Sequence, residues 1–298
     1  MNNVKNIFSI KDLENLSGIK AHTIRIWEKR YNILQPMRTD TNIRLYSLSS
    51  LQKLLNITLL CDYGYKISKI STFSDEKIAE MIRDIVSNKN SKNHAVNAFK
   101  MAMMNFDQEL FSNTYNWLLE EKSFKEIFYQ VFIPLVEDIG LLWQSDTITP
   151  AHEHFISCLI IKKTLINIEK VESEKPMNSD KVYVLSLPLN EIHALGLMYL
   201  HYEIVSKGYK VIYLGESMPI GNLKDIKKYY SSIVYVSYFT TQPEMSLVND
   251  YVTDMGSQLL GDQSEIWLLG RMTNYIDKNL IPLDVKVFNS ISDLVEKV

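Results

Sequence analysis

The sequence predicts a multidomain chain: a small basic helical head, a four-helix bundle, and a doubly wound α/β unit with a parallel sheet. Three observations carry this. Charge is split, because the first 73 residues hold 11 Lys/Arg against 5 Asp/Glu, while the other 225 hold 21 against 30 in a 298-residue chain of net charge −3. Apolar residues then recur at spacings of three and four as far as about residue 172, the period of helices that bury one face. Beyond Lys181 the pattern becomes short β-branched and aromatic runs alternating with helix-length segments, which is how parallel sheets are written. The expected boundaries are 1–75, 76–172 and 180–298.

Composition excludes some classes. No apolar run approaches the roughly 18 residues needed to span a bilayer, and "MNNVKNIFSIKDLENL" lacks the charged-then-apolar layout of a signal peptide. A cytoplasmic location is therefore expected. Cys61 and Cys158 are far apart and have no CxxC or finger spacing, so neither a disulfide framework nor a structural zinc site is expected. Both read as small buried hydrophobes.

In the head, Ser9 before Ile10, Leu13, Leu16 and Ile19 predicts an N-capped helix that Gly18 ends. Ile24, Trp27 and Tyr31 give a second helix its apolar stripe, with Thr23, Arg25, Lys29 and Arg30 mostly off it. Two short helices joined by a Gly-containing turn make a helix-turn-helix. "LQPMRTDTNIRLYS" then predicts a hairpin wing with Arg38 and Arg44 near its tip, and "SLSSLQKLLNITLLCDYGY" a supporting helix. A basic module on an acidic body fits an end that meets a polyanion. The second helix can enter a major groove while wing arginines reach the flanking phosphates.

A boundary is expected in "SDEKIAEMIRDIVSNKNSKN", which starts as a helix and turns polar. Four helical segments follow, "HAVNAFKMAMMN", "DQELFSNTYNWLLEE", "SFKEIFYQVFIPLVEDIGLLWQ" and "TPAHEHFISCLIIKKTLINIEKV", with Asp107, Ser123 and Thr149–Pro150 as starts. A bundle is the simplest packing, and its "MAMM" piece is core or an adaptable pocket wall. After the polar "ESEKPMNSD" come the strands "KVYVLSL", "KVIYLG", "SIVYVSYF", "EIWLLG" and "DVKVFN". Ligands of doubly wound sheets sit at the carboxyl ends of strands, so the loop "PLNEIHALG" with Glu191, His193 and Gly196 is the place to search.

Two resemblances follow from these residues. The stretch from Phe8 to about Ile70, above all "TIRIWEKRYNILQPMRT…RLYS", resembles the winged-helix DNA-binding domain of the MerR regulator family. It implies a dimeric transcription factor in which Thr23, Arg25, Arg30, Arg38, Arg44 and Tyr46 face double-stranded promoter DNA, with Trp27 in the core. "GLLWQSDTITPAHEHFIS", ExHxxG and "GLMYLHYEIVSKGYKVIYLGESMPIGNL" together resemble a cobalamin-binding module, a helical cap followed by a Rossmann-like (flavodoxin-like) domain, as in CarH/LitR-type MerR regulators and corrinoid methyl-transfer proteins. The likeness weakens after Tyr229.

What this second resemblance implies is adenosylcobalamin with its cobalt on His193, Trp143 over the corrin, and Glu153 and His154 near the adenosyl ligand. Glu191, Gly196, Ser237 and Gly270 match further cofactor-binding positions. Two departures stand out. Where such modules have a small strand end and a Gly-Gly that admit the nucleotide tail, this chain has "VSYFTT", with Tyr238 and Phe239, and "LLGRM", with Arg271 after Gly270. Arg271 would obstruct the tail or pair with its phosphate. Gln144 follows Trp143 where photoreceptor members that form a bis-histidine photoproduct have His, so that product is not expected.

The expected function is a non-enzymatic DNA-binding regulator whose dimer or tetramer, and with it DNA binding, is set by cobalamin, with light as a further expected input. Two alternatives stay open: a regulator with a degenerate cobalamin fold acting without cofactor, and a corrinoid methyl carrier.

Overall fold

The computed structural model describes residues 7–78, 80–81, 92–172, 176–261, 263–277, 279 and 281–298. The chain divides into two compact units, Met1–Ile160 and Ile161–Val298, with the division inside one long helix.

The head begins with strand β1, Ile7–Ser9, which periodicity alone did not reveal. Ser9 caps helix α1, Ile10–Ser17, in a capping box with Asp12, and Gly18 ends it in the left-handed conformation. Helix α2, Ala21–Tyr31, follows, then β2, Met37–Arg38, and β3, Arg44–Ser47. The antiparallel pairings Met37↔Leu45 and Arg38↔Arg44 form the expected wing. On its other side β3 pairs with β1, Phe8 opposite Tyr46, so the sheet order is β1-β3-β2 and the head is mixed rather than all-α. Helix α3, Leu48–Asp62, and the short α4, Ile67–Ile70, complete it. Most of the expected boundary segment after Ile78 lies outside the described residues.

The helical region comprises α5, Lys92–Asn105; α6, Gln108–Leu119; α7, Phe124–Ile127; α8, Ile133–Gln144; and α9, Pro150–Glu172. Asp107 and Ser123 cap α6 and α7 as expected. A π-helical stretch, Phe128–Phe132, separates α7 from α8. Pro134, just beyond it, lacks the N–H that would bond four residues back, which favours such a bulge. Met101, Met103 and Met104 are core, packed with an aromatic cluster of Phe99, Phe111 and Phe132. Cys61 is half-buried and Cys158 exposed, which corrects the expectation that both are buried.

Head and helical region share the first unit. Asn15 Nδ2 donates to the buried Thr147 Oγ1 at 2.8 Å. Lys100, itself buried, lies 2.6 Å from Asp138 and 3.5 Å from the Leu16 carbonyl near the end of α1.

The second unit is the expected parallel sheet: β4, Asn178–Ser186; β5, Tyr209–Gly215; β6, Ile233–Tyr238; β7, Ser264–Leu269; and β8, Val285–Phe288, in the order β5-β4-β6-β7-β8. The end of the expected linker, from Asn178, is already strand. Helix α10, Leu195–Ser206, follows β4; α11, Ile220–Leu223, runs into a 3-10 turn, shorter than expected; α12, Val248–Leu259, follows β6; and α13, Ile291–Val295, closes the chain. Val184, Tyr235, Phe239, Ile266 and Leu268 centre its core.

Candidate nucleic-acid interface and candidate cofactor site

Between α2 and the wing lies an open concave surface of about 470 Å³, lined by Arg25, Lys29, Arg38 and Arg44 with Glu28 among them. Arg25 and Arg30 are exposed on α2, Arg38 is exposed on the wing, and Thr23 and Arg44 are half-buried. The geometry brings the wing and helix cations to one groove; Arg30 lies instead over its neighbour's ring, 5.4 Å from the Tyr31 centroid. Trp27 is half-buried rather than core.

Glu28 organises this surface. Its carboxylate accepts from Arg44 Nε at 3.1 Å and from the Tyr46 hydroxyl at 3.0 Å, and lies 3.8 Å from Arg38. Tyr46 is wholly buried. Burial, then the Glu28 carboxylate, push its phenol well up, so it stays a neutral donor. Buried as it is, Tyr46 acts here on Glu28 and the wing through its hydroxyl. Sequence reasoning missed Glu28, whose signal was an acid amid the cations of "RIWEKR".

In the sheet unit, the turn after β4 presents Glu191 and His193. Glu191 is 0% exposed, and its carboxylate accepts from Thr241 N at 2.6 Å, Gln242 N at 2.8 Å, His193 N at 3.1 Å and His193 Nδ1 at 2.6 Å. Burial alone would raise its pKa. The hydrogen bond from His193 and those from the Thr241, Gln242 and His193 backbones outweigh that and hold the carboxyl well below the usual carboxylate range. Glu191 is thus a buried anion orienting His193. The His193 side chain is 52% exposed. The carboxylate at 2.6 Å favours the tautomer with hydrogen on Nδ1, and a neutral imidazole in that tautomer has Nε2 as its lone-pair nitrogen, the arrangement that suits a metal ligand.

Among the described residues, no cluster of three His, Cys, Asp or Glu side chains could hold a metal ion. A metal at His193 has to arrive in a ligand that supplies its other bonds, and that much fits a corrinoid. The space for a nucleotide tail does not fit. A Cβ on Gly196 would stand 2.6 Å from Tyr238 Cε2, so that ring fills the space above the glycine. Ser237 is buried and donates to the Ser186 carbonyl at 2.7 Å. At Gly270, φ is 109° and a Cβ would collide with the Phe239 backbone at 2.4 Å, so the fold itself requires this glycine. Phe239 points into the core, while Arg271 is exposed.

In the helical region, Trp143 is 55% exposed on α8. Glu153 on α9 accepts from Ser157 at 2.8 Å and lies 3.4 Å from His154. His152 is buried, stacked on Phe106 with its Nδ1 2.8 Å from Thr149 Oγ1. These side chains leave Trp143 and His154 facing outward.

The first unit holds a basic helix-turn-helix with a wing and a helical region, and the second a parallel sheet with a carboxylate-held histidine. In comparison with known families, residues 8–77 match the model of the MerR HTH family regulatory protein and residues 95–163 that of the B12 binding domain. The chain is 25% identical to the HTH-type transcriptional repressor CarH of Myxococcus xanthus, over 72% of this chain and 73% of that one. It is 22% identical to the repressor CarA of the same organism, over 72% and 70%. The fold matches the monomethylamine corrinoid protein of Methanosarcina barkeri with a TM-score of 0.55 at 11% identity, over 67% of this chain and 94% of that one. Together these support a cobalamin-linked transcriptional regulator, and no helix among the described residues is long and apolar enough to cross a membrane.

Proposed function

We propose that this protein is a sequence-specific DNA-binding regulator whose assembly, and through it promoter binding, is set by a corrinoid, adenosylcobalamin being the form the resemblance implies. The proposed parts are a DNA-reading head at 1–75, a helical cap at 76–172 and a corrinoid-binding sheet unit at 180–298. Arg25, Arg30, Arg38 and Arg44 meet the duplex, with Thr23 at the edge of the bases. His193 holds the ligand, and Trp143, Glu153 and His154 are the cap residues proposed to act toward it. When bound, a corrinoid supplies a large planar macrocycle with a cobalt that imidazole can ligate.

The observation that carries the first half is the open groove in which helix and wing cations converge around Glu28. Phosphate contacts give affinity, and paired heads in a dimer or tetramer multiply it without new contacts at either half-site. A ligand changes DNA binding only by favouring one assembly over another.

The test combines fluorescence anisotropy on a duplex selected from a random pool with sedimentation, each with and without adenosylcobalamin, in the dark and after illumination. Salt-sensitive binding to the selected duplex is expected, along with a change in assembly on adding the corrinoid. Failure to bind any duplex at low ionic strength would overturn the regulator function. DNA binding with an assembly indifferent to corrinoid would instead favour a regulator acting without cofactor, the reading that the filled space above Gly196 supports.

A further inference from the structure

In the order β5-β4-β6-β7-β8 the chain steps outward in opposite directions from the β4/β6 pair, and open α/β sheets bind ligands in the crevice outside the carboxyl ends of such strands. Here that crevice is stitched shut from the inside outward. Lowest, the Ser237 hydroxyl on β6 donates to the Ser186 carbonyl on β4 at 2.7 Å. Next, the Tyr238 ring lies against Gly196 in the first turn of α10, closer than any side chain at that glycine would permit. At the rim, Glu191 after β4 accepts from the backbone of Thr241 and Gln242 after β6, at 2.6 and 2.8 Å. At that rim the His193 side chain is 52% exposed.

Resting on the corrinoid function proposed above, we infer that this site takes the corrin macrocycle on its His193 rim and leaves the nucleotide tail outside the sheet, so that corrinoids lacking the tail base are its preferred ligands. Admitting the base would mean displacing the Tyr238 ring and pulling the post-β6 loop from Glu191, stripping donors from a buried anion. The rim exacts no such cost. His193 would hold a corrinoid without the base by simple ligand exchange, its imidazole nitrogen taking the place of one cobalt-bound water with no electrons moved. Cobalamin would first have to release its own base, and the Tyr238 ring fills the space beside Gly196 through which that base would enter.

The full chain would be titrated separately with diaquocobinamide and hydroxocobalamin, followed by visible absorption and equilibrium dialysis. Electron paramagnetic resonance of the cobalt(II) forms, on protein carrying ¹⁵N-histidine, would identify the axial nitrogen. Cobinamide is expected to bind about tenfold tighter than cobalamin or better, with a histidine nitrogen on cobalt that His193→Ala removes. Tyr238→Ala is expected to raise cobalamin affinity and shrink the ratio; if that variant does not fold, the wild-type ratio decides alone. Cobalamin bound as tightly as cobinamide, with histidine nitrogen replacing its own base, would show that the tail enters and overturn the inference. If neither corrinoid binds, the corrinoid-dependent function itself falls, and DNA binding by the head stands apart from both outcomes.

Discussion

Between α2 and the wing, Arg25, Lys29, Arg38 and Arg44 line a groove open to solvent, whereas at the switch point of the sheet Ser237, Tyr238 and Glu191 draw neighbouring segments together. Both places use a buried or half-buried carboxylate as an organiser. Glu28 gathers side chains at the edge of a concavity; Glu191 holds two backbone loops against each other. A carboxylate that binds long flexible cations leaves room for a polyanion. One that binds backbone amides consumes the room and orients a single imidazole. The first surface can meet its partner without rearrangement, and the second offers only its edge.

The largest expected effect on DNA binding is at the open groove. Arg25→Ala and Arg38→Ala should each weaken binding to the selected duplex by about 1–3 kcal/mol if they reach bases, and by less but more uniformly if they reach only phosphates. Anisotropy over a salt series separates the two, because each lost phosphate contact makes the slope shallower by about one. Unchanged affinity in the double variant would remove the groove from consideration.

Next comes the closed site. Glu191→Ala leaves buried donors unanswered and should destabilise the sheet unit by about 3 kcal/mol, read from urea unfolding followed through the buried Trp267. The pH dependence has a definite sign. The folded carboxyl titrates below its ordinary value of 4.5, so its contribution is fully present above that pH and drains away as acid approaches the lower folded value. Wild type should therefore lose stability on acidification below about pH 4.5 more steeply than Glu191→Gln does. Parallel curves would mean that the network is not ionised as described.

A smaller and less intuitive effect belongs to Glu28. Removing an acid from the groove should strengthen non-specific binding to a polyanion, yet Glu28→Gln takes away the charge that pairs with Arg44 and leaves one acceptor oxygen where Arg44 and the Tyr46 hydroxyl now share two. Specific affinity is expected to fall by about 1 kcal/mol while non-specific affinity holds or rises, which competition with random-sequence duplex would resolve.

Much of this was legible in the sequence because it rests on local rules. Ser9, Gly18, Asp107 and Ser123 mark helix ends by their own chemistry, and the five parallel strands announce themselves by β-branched runs. What was hidden depends on partners distant in the chain. Three residues, Ile7–Ser9, are too few for a period and become a strand only because β3 is there to pair with them. Tyr46 looks like a wing contact until Phe8 is placed opposite it, and its burial follows. The ExHxxG spacing located His193, but not that Thr241 and Gln242, some 50 residues on, would hold its carboxylate. Tyr238 and Phe239 were equal suspects for obstruction, since adjacent residues on a strand face opposite ways; only the fold assigns Phe239 to the core and Tyr238 to Gly196.

The smallest expected effect concerns how the head is joined to the helical region within the first unit. Asn15, on the head's first helix, donates to Thr147, three residues beyond Gln144, at 2.8 Å, and Thr147 is buried with Ser145 Oγ 3.0 Å from its hydroxyl. Single variants Asn15→Ala and Thr147→Val should each cost about 1 kcal/mol of stability. If the two side chains act on one another, the double variant should cost less than the two together, by several tenths of a kcal/mol. That coupling matters beyond stability, because Thr147 sits at the end of the turn that follows the exposed Trp143. A ligand pressing on Trp143 would find a hydrogen-bonded path to α1 only if the cycle shows coupling. Additive single effects would leave the head mechanically independent of that turn, and the groove around Glu28 would then respond to ligand only through the assembly of whole chains.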